Sequence, residues 1–172
     1  MRLLGMPGRW YERDVGSVAF FVLDANDPDN EAQLDCLRGA LARSKAQWKV
    51  AVFHQPAYSC GRHKSSPEVQ REWVGLFQRS GVDLVLNGHD HDYQRFAPIG
   101  GVTYVVTGGG GAELYGVGDC PAGTPRPVVF NDDVHQFLYV SATASEMEGH
   151  AVSAAGGVLG SFELTEPEIQ HS

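Results

Sequence analysis

The chain has 172 residues, 42% hydrophobic and 20% charged, which is enough apolar material for a packed core and too much for a disordered chain. Its formal charge of -8 opposes nonspecific nucleic-acid binding, yet leaves room for an anionic substrate wherever a bound cation offsets that charge locally. No run approaches the ~20 apolar residues of a membrane span, and the start, Met1 to Pro7, is too short for a secretory leader. Three cysteines (Cys36, Cys60, Cys120) cannot all pair within one chain, and they lack the C-x-x-C spacing of a zinc site, so the redox compartment stays open.

Residues 9–24 read as two strands around a Gly16-Ser17 turn, and the unbroken apolar run at 18–23 predicts a strand buried on both faces. A helix follows, capped by Asp27 with Pro28 at its first position and with Leu34, Leu37 and Leu41 on its inner face. Residues 50–53 form a short apolar strand ending at His54. Ser66-Pro67 starts a second helix, Val69, Trp73, Leu76 and Phe77 make its stripe, and Gly81 ends it. A third strand at 82–86 ends at Asn87-Gly88-His89. This rhythm predicts an α/β fold, a layered and largely parallel sheet with flanking helices. Farther on, 102–107 reads as strand, the glycines at 108–111 break it, and 116–133 is a long loop. Residues 137–144 and 158–164 are late antiparallel strands, and the tail over 165–172 is frayed. No repeat or linker divides the chain, so residues 1–172 are expected to form a single domain.

Two buried strands thus end in histidine, His54 and His89. Ligand sites of parallel sheets lie at the carboxyl ends of strands, so both rings should project over one edge. His91 stands two residues beyond His89, the same side of an extended segment, and Gly88 gives the backbone freedom to turn there. Three imidazoles converging on one rim suit zinc, iron, manganese or nickel. The plainer alternative is three separate histidines with local hydrogen bonds.

Val52-Phe53-His54-Gln55-Pro56-Ala57-Tyr58-Ser59 and Asn87-Gly88-His89-Asp90-His91-Asp92-Tyr93-Gln94-Arg95 resemble two motifs of the calcineurin-like metallophosphoesterases, in particular the purple acid phosphatase branch. The likeness continues through Gly101-Val102-Thr103-Tyr104-Val105-Val106-Thr107 and the four glycines after it, and upstream at Gly5-Met6-Pro7-Gly8-Arg9-Trp10-Tyr11. It implies the C-terminal half of that family's αββα sandwich, and a two-metal centre that binds phosphate esters and activates a hydroxide for attack on phosphorus. It implies His54 and His89 on one metal and His91 on the other. It also implies that His63, in the loop Tyr58-Ser59-Cys60-Gly61-Arg62-His63, contacts phosphate and protonates the leaving group, a role suited to a histidine near neutral pH. An exposed loop histidine is the equal alternative. Arg62 and Lys64 could draw in phosphate, although two solvated charges are the simpler reading.

The family's early Asp, its Gly-Asp motif, its usual Tyr and its Asn-His motif are missing from this sequence, and no histidine precedes His54. Three explanations stay open: a truncated chain or gene fragment, a short natural form holding one metal with His54, His89 and His91, or self-association that supplies the missing walls. Half of a layered sheet exposes apolar faces and an edge, so at least a homodimer is expected. Asp24, at the end of the second strand, is a candidate extra ligand, with a turn role beside Asn26 and Asp27 as the preferred reading. The expected function is slow metal-dependent hydrolysis of phosphate esters. The alternatives are a noncatalytic metal-binding module and a half-domain that needs a partner. Metal identity, monoester or diester substrate, and compartment stay open.

Overall fold

An antiparallel hairpin, β1 (Tyr11–Val15) and β2 (Val18–Val22), begins the fold of the computed structural model, which describes residues 8–165. The likeness at Gly5, Met6 and Pro7 and the tail from residue 166 onward lie outside the described residues. The main sheet has seven strands in the order β1-β2-β3-β4-β6-β5-β7, adding β3 (Trp48–Phe53), β4 (Leu84–Asn87), β5 (Tyr93–Arg95), β6 (Thr103–Thr107) and β7 (Val129–Asn131). Its centre, β2-β3-β4-β6, is parallel, as the strand–helix rhythm predicts. A second sheet, ordered β10-β9-β8, holds β8 (Gln136–Ala142), β9 (Glu146–Ser153) and β10 (Val158–Thr165), all antiparallel. Among the described residues no helix is long and apolar enough to cross a membrane.

Helix α1 (Glu31–Arg43) begins later than its proline suggests. Asn30, not Asp27, is the cap, and its side chain accepts from the Gln33 amide at 3.1 Å. The reason is Gln33, a fully buried amide that donates to the Asp24 and Asp27 carbonyls and accepts from the Asp24 N–H. Those bonds hold residues 24–30 as a turn, leaving Pro28 ahead of the helix. The Leu34, Leu37 and Leu41 stripe is buried as expected. The second helical segment starts at the Ser66 cap with Pro67 in α2 (Pro67–Val69), widens into a π-helical stretch (Gln70–Val74), and continues as α3 (Gly75–Arg79). The widened turn lets Gln70 donate to the Ala57 carbonyl at 2.8 Å, bracing the loop beyond β3.

Helices cover one face of the main sheet. There Phe53 packs edge-on to Trp73, whose indole donates to the Pro28 carbonyl at 2.9 Å, and Leu37, Leu41, Phe77 and Val85 fill the same core. The small sheet covers part of the other face, where Met147, Ala151 and Phe162 meet Trp48, Val50, Leu84 and Val105. Three strands escape the sequence reading. β5 and β7 are only three residues long, and β9 buries Met147, Gly149, Ala151 and Ser153 on alternate positions, an inward face too weakly apolar to stand out in the sequence.

Candidate metal and phosphate site

The β3–β4 register pairs Phe53 with Asn87, which sets His54 level with Gly88 and one residue from His89. The buried Asn87 amide donates to the Phe53 carbonyl at 3.1 Å, and the Gly88 N–H donates to the His54 carbonyl, so the two strand ends are tied together. Beyond Gly88 the chain does not stay extended. The left-handed turn falls on His89 itself, with φ of 69°, and Gly88 does not supply it. A non-glycine residue in that region is a local strain of the kind found at functional sites.

The turn aims His89 Nδ1 at His54 Nε2, 3.2 Å away, with ring centroids 5.0 Å apart. The His63 ring lies against His89 at 4.3 Å between centroids. Burial first, and then the neighbouring His63 and His54, push the His89 pKa down, which favours the neutral ring. Two nitrogens on one tetrahedral ion at ~2.05 Å each would stand about 3.3 Å apart, so this pair fits as two corners of a cation site.

His63 is held from behind by the buried Asp90 carboxylate, and Asp92 stands in the same hydrogen-bonded network through Gln94. Asp90 and Asp92 are fully buried. Asp90 accepts from the His63 N–H at 2.7 Å and from the Ser59 hydroxyl in a short bond. Gln94 donates to Asp92 and to Ser59 Oγ, and accepts from the Cys60 N–H at 2.8 Å. Gly61 is required at this crossing, since a Cβ there would come within 2.5 Å of the Asp90 carboxyl carbon. A disulfide between Cys60 and Cys120 then joins the His63 loop to the segment beyond Tyr115, leaving Cys36 exposed and unpaired.

His91 does not join the His54–His89 pair. Its Nδ1 lies 2.8 Å from the Glu113 carbonyl and its Nε2 lies 3.1 Å from the Tyr115 hydroxyl, with the two rings stacked at 4.3 Å. The bends at 89–92 break the extended geometry that would have kept it beside His89. Asp24 shares a hollow of about 270 Å³ with His54, but it meets Arg9 at 2.5 Å and Asn26 through both backbone and side chain. Burial pushes its carboxyl up, and Asn26 and Arg9 together outweigh that and hold it below the usual carboxylate value. Arg62 lies over the Tyr115 ring at 5.3 Å, and Lys64 donates to the Asp119 carbonyl. Among the described residues no group of three or more His, Cys, Asp or Glu side chains is arranged to hold a metal ion. Tyr115, Ser59 and Gln94 are site residues that sequence reasoning missed. Tyr115 stands in a loop without periodicity, and nothing in its neighbours signals it.

A layered α/β sheet with polar loops gathered at its carboxyl edge defines the class, and solved structures share it. The chain superimposes on purple acid phosphatase PPD1 from yellow lupin (Lupinus luteus) seeds with a TM-score of 0.82 at 23% identity, over 92% of this chain and 33% of that one. It superimposes on GAP50, described as the anchor in the inner membrane complex of Plasmodium, with a TM-score of 0.78 at 21% identity, over 95% of this chain and 56% of that one. In sequence it is 29% identical to purple acid phosphatase 3 of Arabidopsis thaliana over 129 residues, which is 75% of this chain and 35% of that protein. Purple acid phosphatase 17 of the same plant is 32% identical over 109 residues, 63% of this chain and 30% of that protein. The family model of the calcineurin-like phosphoesterases matches residues 5–93, just over half the chain. The chain belongs to the calcineurin-like phosphoesterase family, and it spans about a third of the length of these plant relatives.

Proposed function

We propose that this chain binds phosphate esters at the rim carrying His54, His89 and His63 and supports their slow hydrolysis with a divalent cation held by His54 and His89. The observation that carries the reading is the 3.2 Å approach of His54 Nε2 and His89 Nδ1 at the ends of adjacent parallel strands. A cation there would supply positive charge beside the phosphoryl oxygens and acidify a water. His63, pinned by Asp90 through its backbone, presents an exposed imidazole to the same spot and donates a proton to the departing ester oxygen as the P–O bond breaks. Arg62, exposed beside it, draws the phosphate charge inward. The remaining corners of the cation site fall to water, to substrate or to a second polypeptide.

The test is hydrolysis of an aryl phosphate, with cation uptake measured in parallel. Chelation, His54→Ala and His89→Ala should each abolish uptake and turnover together, and His63→Ala should slow turnover by about 10²-fold while leaving uptake unchanged. Turnover that survives chelation and both alanine variants sinks the reading. A noncatalytic module is the second reading, favoured by the engagement of both His91 nitrogens and by the fold shared with a protein described as an anchor. It predicts uptake without turnover.

A further inference from the structure

The outward face of the small sheet is sorted by chemistry along its length. Phe137 and Val158 both pair with Val152, and Tyr139 and Ser161 both pair with His150. Two residues farther along, Ser141 and Glu163 both pair with Glu148, and Thr165 pairs with Glu146. These side chains point away from the main sheet, because Leu138, Val140, Met147, Ala151 and Phe162, at the alternate positions, pack toward it. One end of the face is therefore apolar and the other carries carboxylates. Both ends lack a complement. Phe137, Tyr139 and Val158 are 55%, 56% and 62% exposed, a gathering of large apolar side chains that marks a contact surface. At the other end Glu148 and Glu163 stand directly opposite one another, which costs a sheet stability. The Glu163 charge, ahead of burial and of Glu148, pushes the Glu146 carboxyl above its ordinary value. Glu148 has an imidazole, His150 Nε2, at 3.6 Å, but among the described residues no lysine or arginine pairs with Glu146, Glu148 or Glu163. A hollow of about 270 Å³ opens between Glu148, His150, Ser161 and Glu163.

We infer that this face docks a basic amphipathic helix of a second, different polypeptide. What it offers is side chains on a sheet face, not backbone at a sheet edge, and a helix is the element that closes such a face. Its four rows span ~20 Å along the strands, the length of a helix of about 13 residues. Apolar residues at one end of that helix cover Phe137, Val152 and Val158. Lysine or arginine at its other end enters the hollow beside Glu148 and Glu163 and relieves their repulsion. Tyr139, between the two ends, lends its ring to the same cation. A second copy of this chain is a poor occupant. Laid with its rows reversed, it sets aromatic rings on carboxylates. Laid with its rows aligned, it sets carboxylates on carboxylates. An anionic lipid surface is repelled by the same charges. The inference does not depend on what the rim histidines hold.

The probe is a synthetic helix of about 14 residues that carries, along one face, leucines toward one end and lysines toward the other. Its control has glutamate in place of each lysine. Titrated into the full chain and followed by NMR, the lysine helix should bind and should shift resonances on the outward face of β8, β9 and β10. The glutamate helix should bind roughly tenfold more weakly, and added salt should narrow the difference. Phe137→Ser combined with Tyr139→Ser should weaken the lysine helix by about tenfold. Glu148→Gln combined with Glu163→Gln should weaken it by about fivefold. That second variant removes a repelling pair, so its urea midpoint should rise, which separates lost docking from lost folding. No binding of the lysine helix to the wild-type chain overturns the inference. So do equal binding of the two helices, resonance shifts centred on Val52 and Leu86, and preferential binding to vesicles of anionic phospholipid.

Discussion

Asp92 is a carboxylic acid sealed from water behind the functional rim. Burial pushes its pKa up to about 7, the Asp90 and Asp132 charges push the same way, and the hydrogen bond from Gln94 pulls back only part of the distance. A raised acid pKa means that the folded chain holds a proton which the unfolded chain releases above its ordinary value of 3.8. The stabilisation is therefore complete below that value and is lost as pH climbs through about 7, by up to about 4 kcal/mol. Asp92→Asn carries no ionisable proton and should be free of this penalty. Urea unfolding at pH 5, 6, 7 and 8 should show the variant gaining on the wild type until about pH 7 and running parallel to it above. A constant gap across that range would place the proton elsewhere. In the His-Asp-His-Asp run the placing of His89 at a strand end was legible, whereas the bends at 89–92 break the alternation on which the places of Asp90, His91 and Asp92 were read. The tie between His91 and Tyr115 was not legible, since it joins residues 24 positions apart through a loop without pattern.

The start of α1 shows where element boundaries escape a local reading. Asp27 followed by Pro28 is a sound helix start by propensity, and it loses because Gln33 takes the carbonyls of Asp24 and Asp27 into a buried turn. Propensity acts over a few residues, whereas the Gln33 bonds form only once the helix has docked. The consequence is measurable. Asn30→Ala removes the acceptor for the Gln33 N–H and should cost about 1 kcal/mol in urea unfolding. Asp27→Ala removes only the contact to the Asn30 side-chain amide and should cost less than half of that. Equal losses would mean that Asp27 shares the cap. The parallel strands, by contrast, were readable because β2, β3 and β4 are each apolar runs bounded by turns, and the ends of β3 and β4 hold the two rim histidines. The short strands β5 and β7 depend on register with β6 and with each other, information that no run of three residues carries.

Across the whole molecule the main sheet is covered unequally. Helices close one face, while the small sheet leaves Phe20, Val22, Val52 and Leu86 half-exposed on the other. Two hollows meet at Leu86. One of about 370 Å³ runs between the sheets beside Val18, Phe20 and Met147, and one of about 500 Å³ extends past Val22 and Val52 to His54. An apolar trough of this length is costly to hold in water. The edge of β1, outermost in the main sheet among the described residues, is a poor alternative contact, since its exposed Glu12, Arg13 and Asp14 oppose strand addition. A second copy of the chain laid face to face, with the two troughs related by a twofold axis, would cover the apolar side chains of both copies with one contact. Sedimentation at micromolar concentration should therefore give at least a dimer, and Leu86→Gln, at the junction of the two hollows, should shift it toward monomer while leaving the buried cores intact. A wild-type monomer under these conditions overturns self-association. It would leave the trough to a different polypeptide, and because the trough ends at His54, any occupant would stand beside the rim and could supply the corners that His54 and His89 leave open.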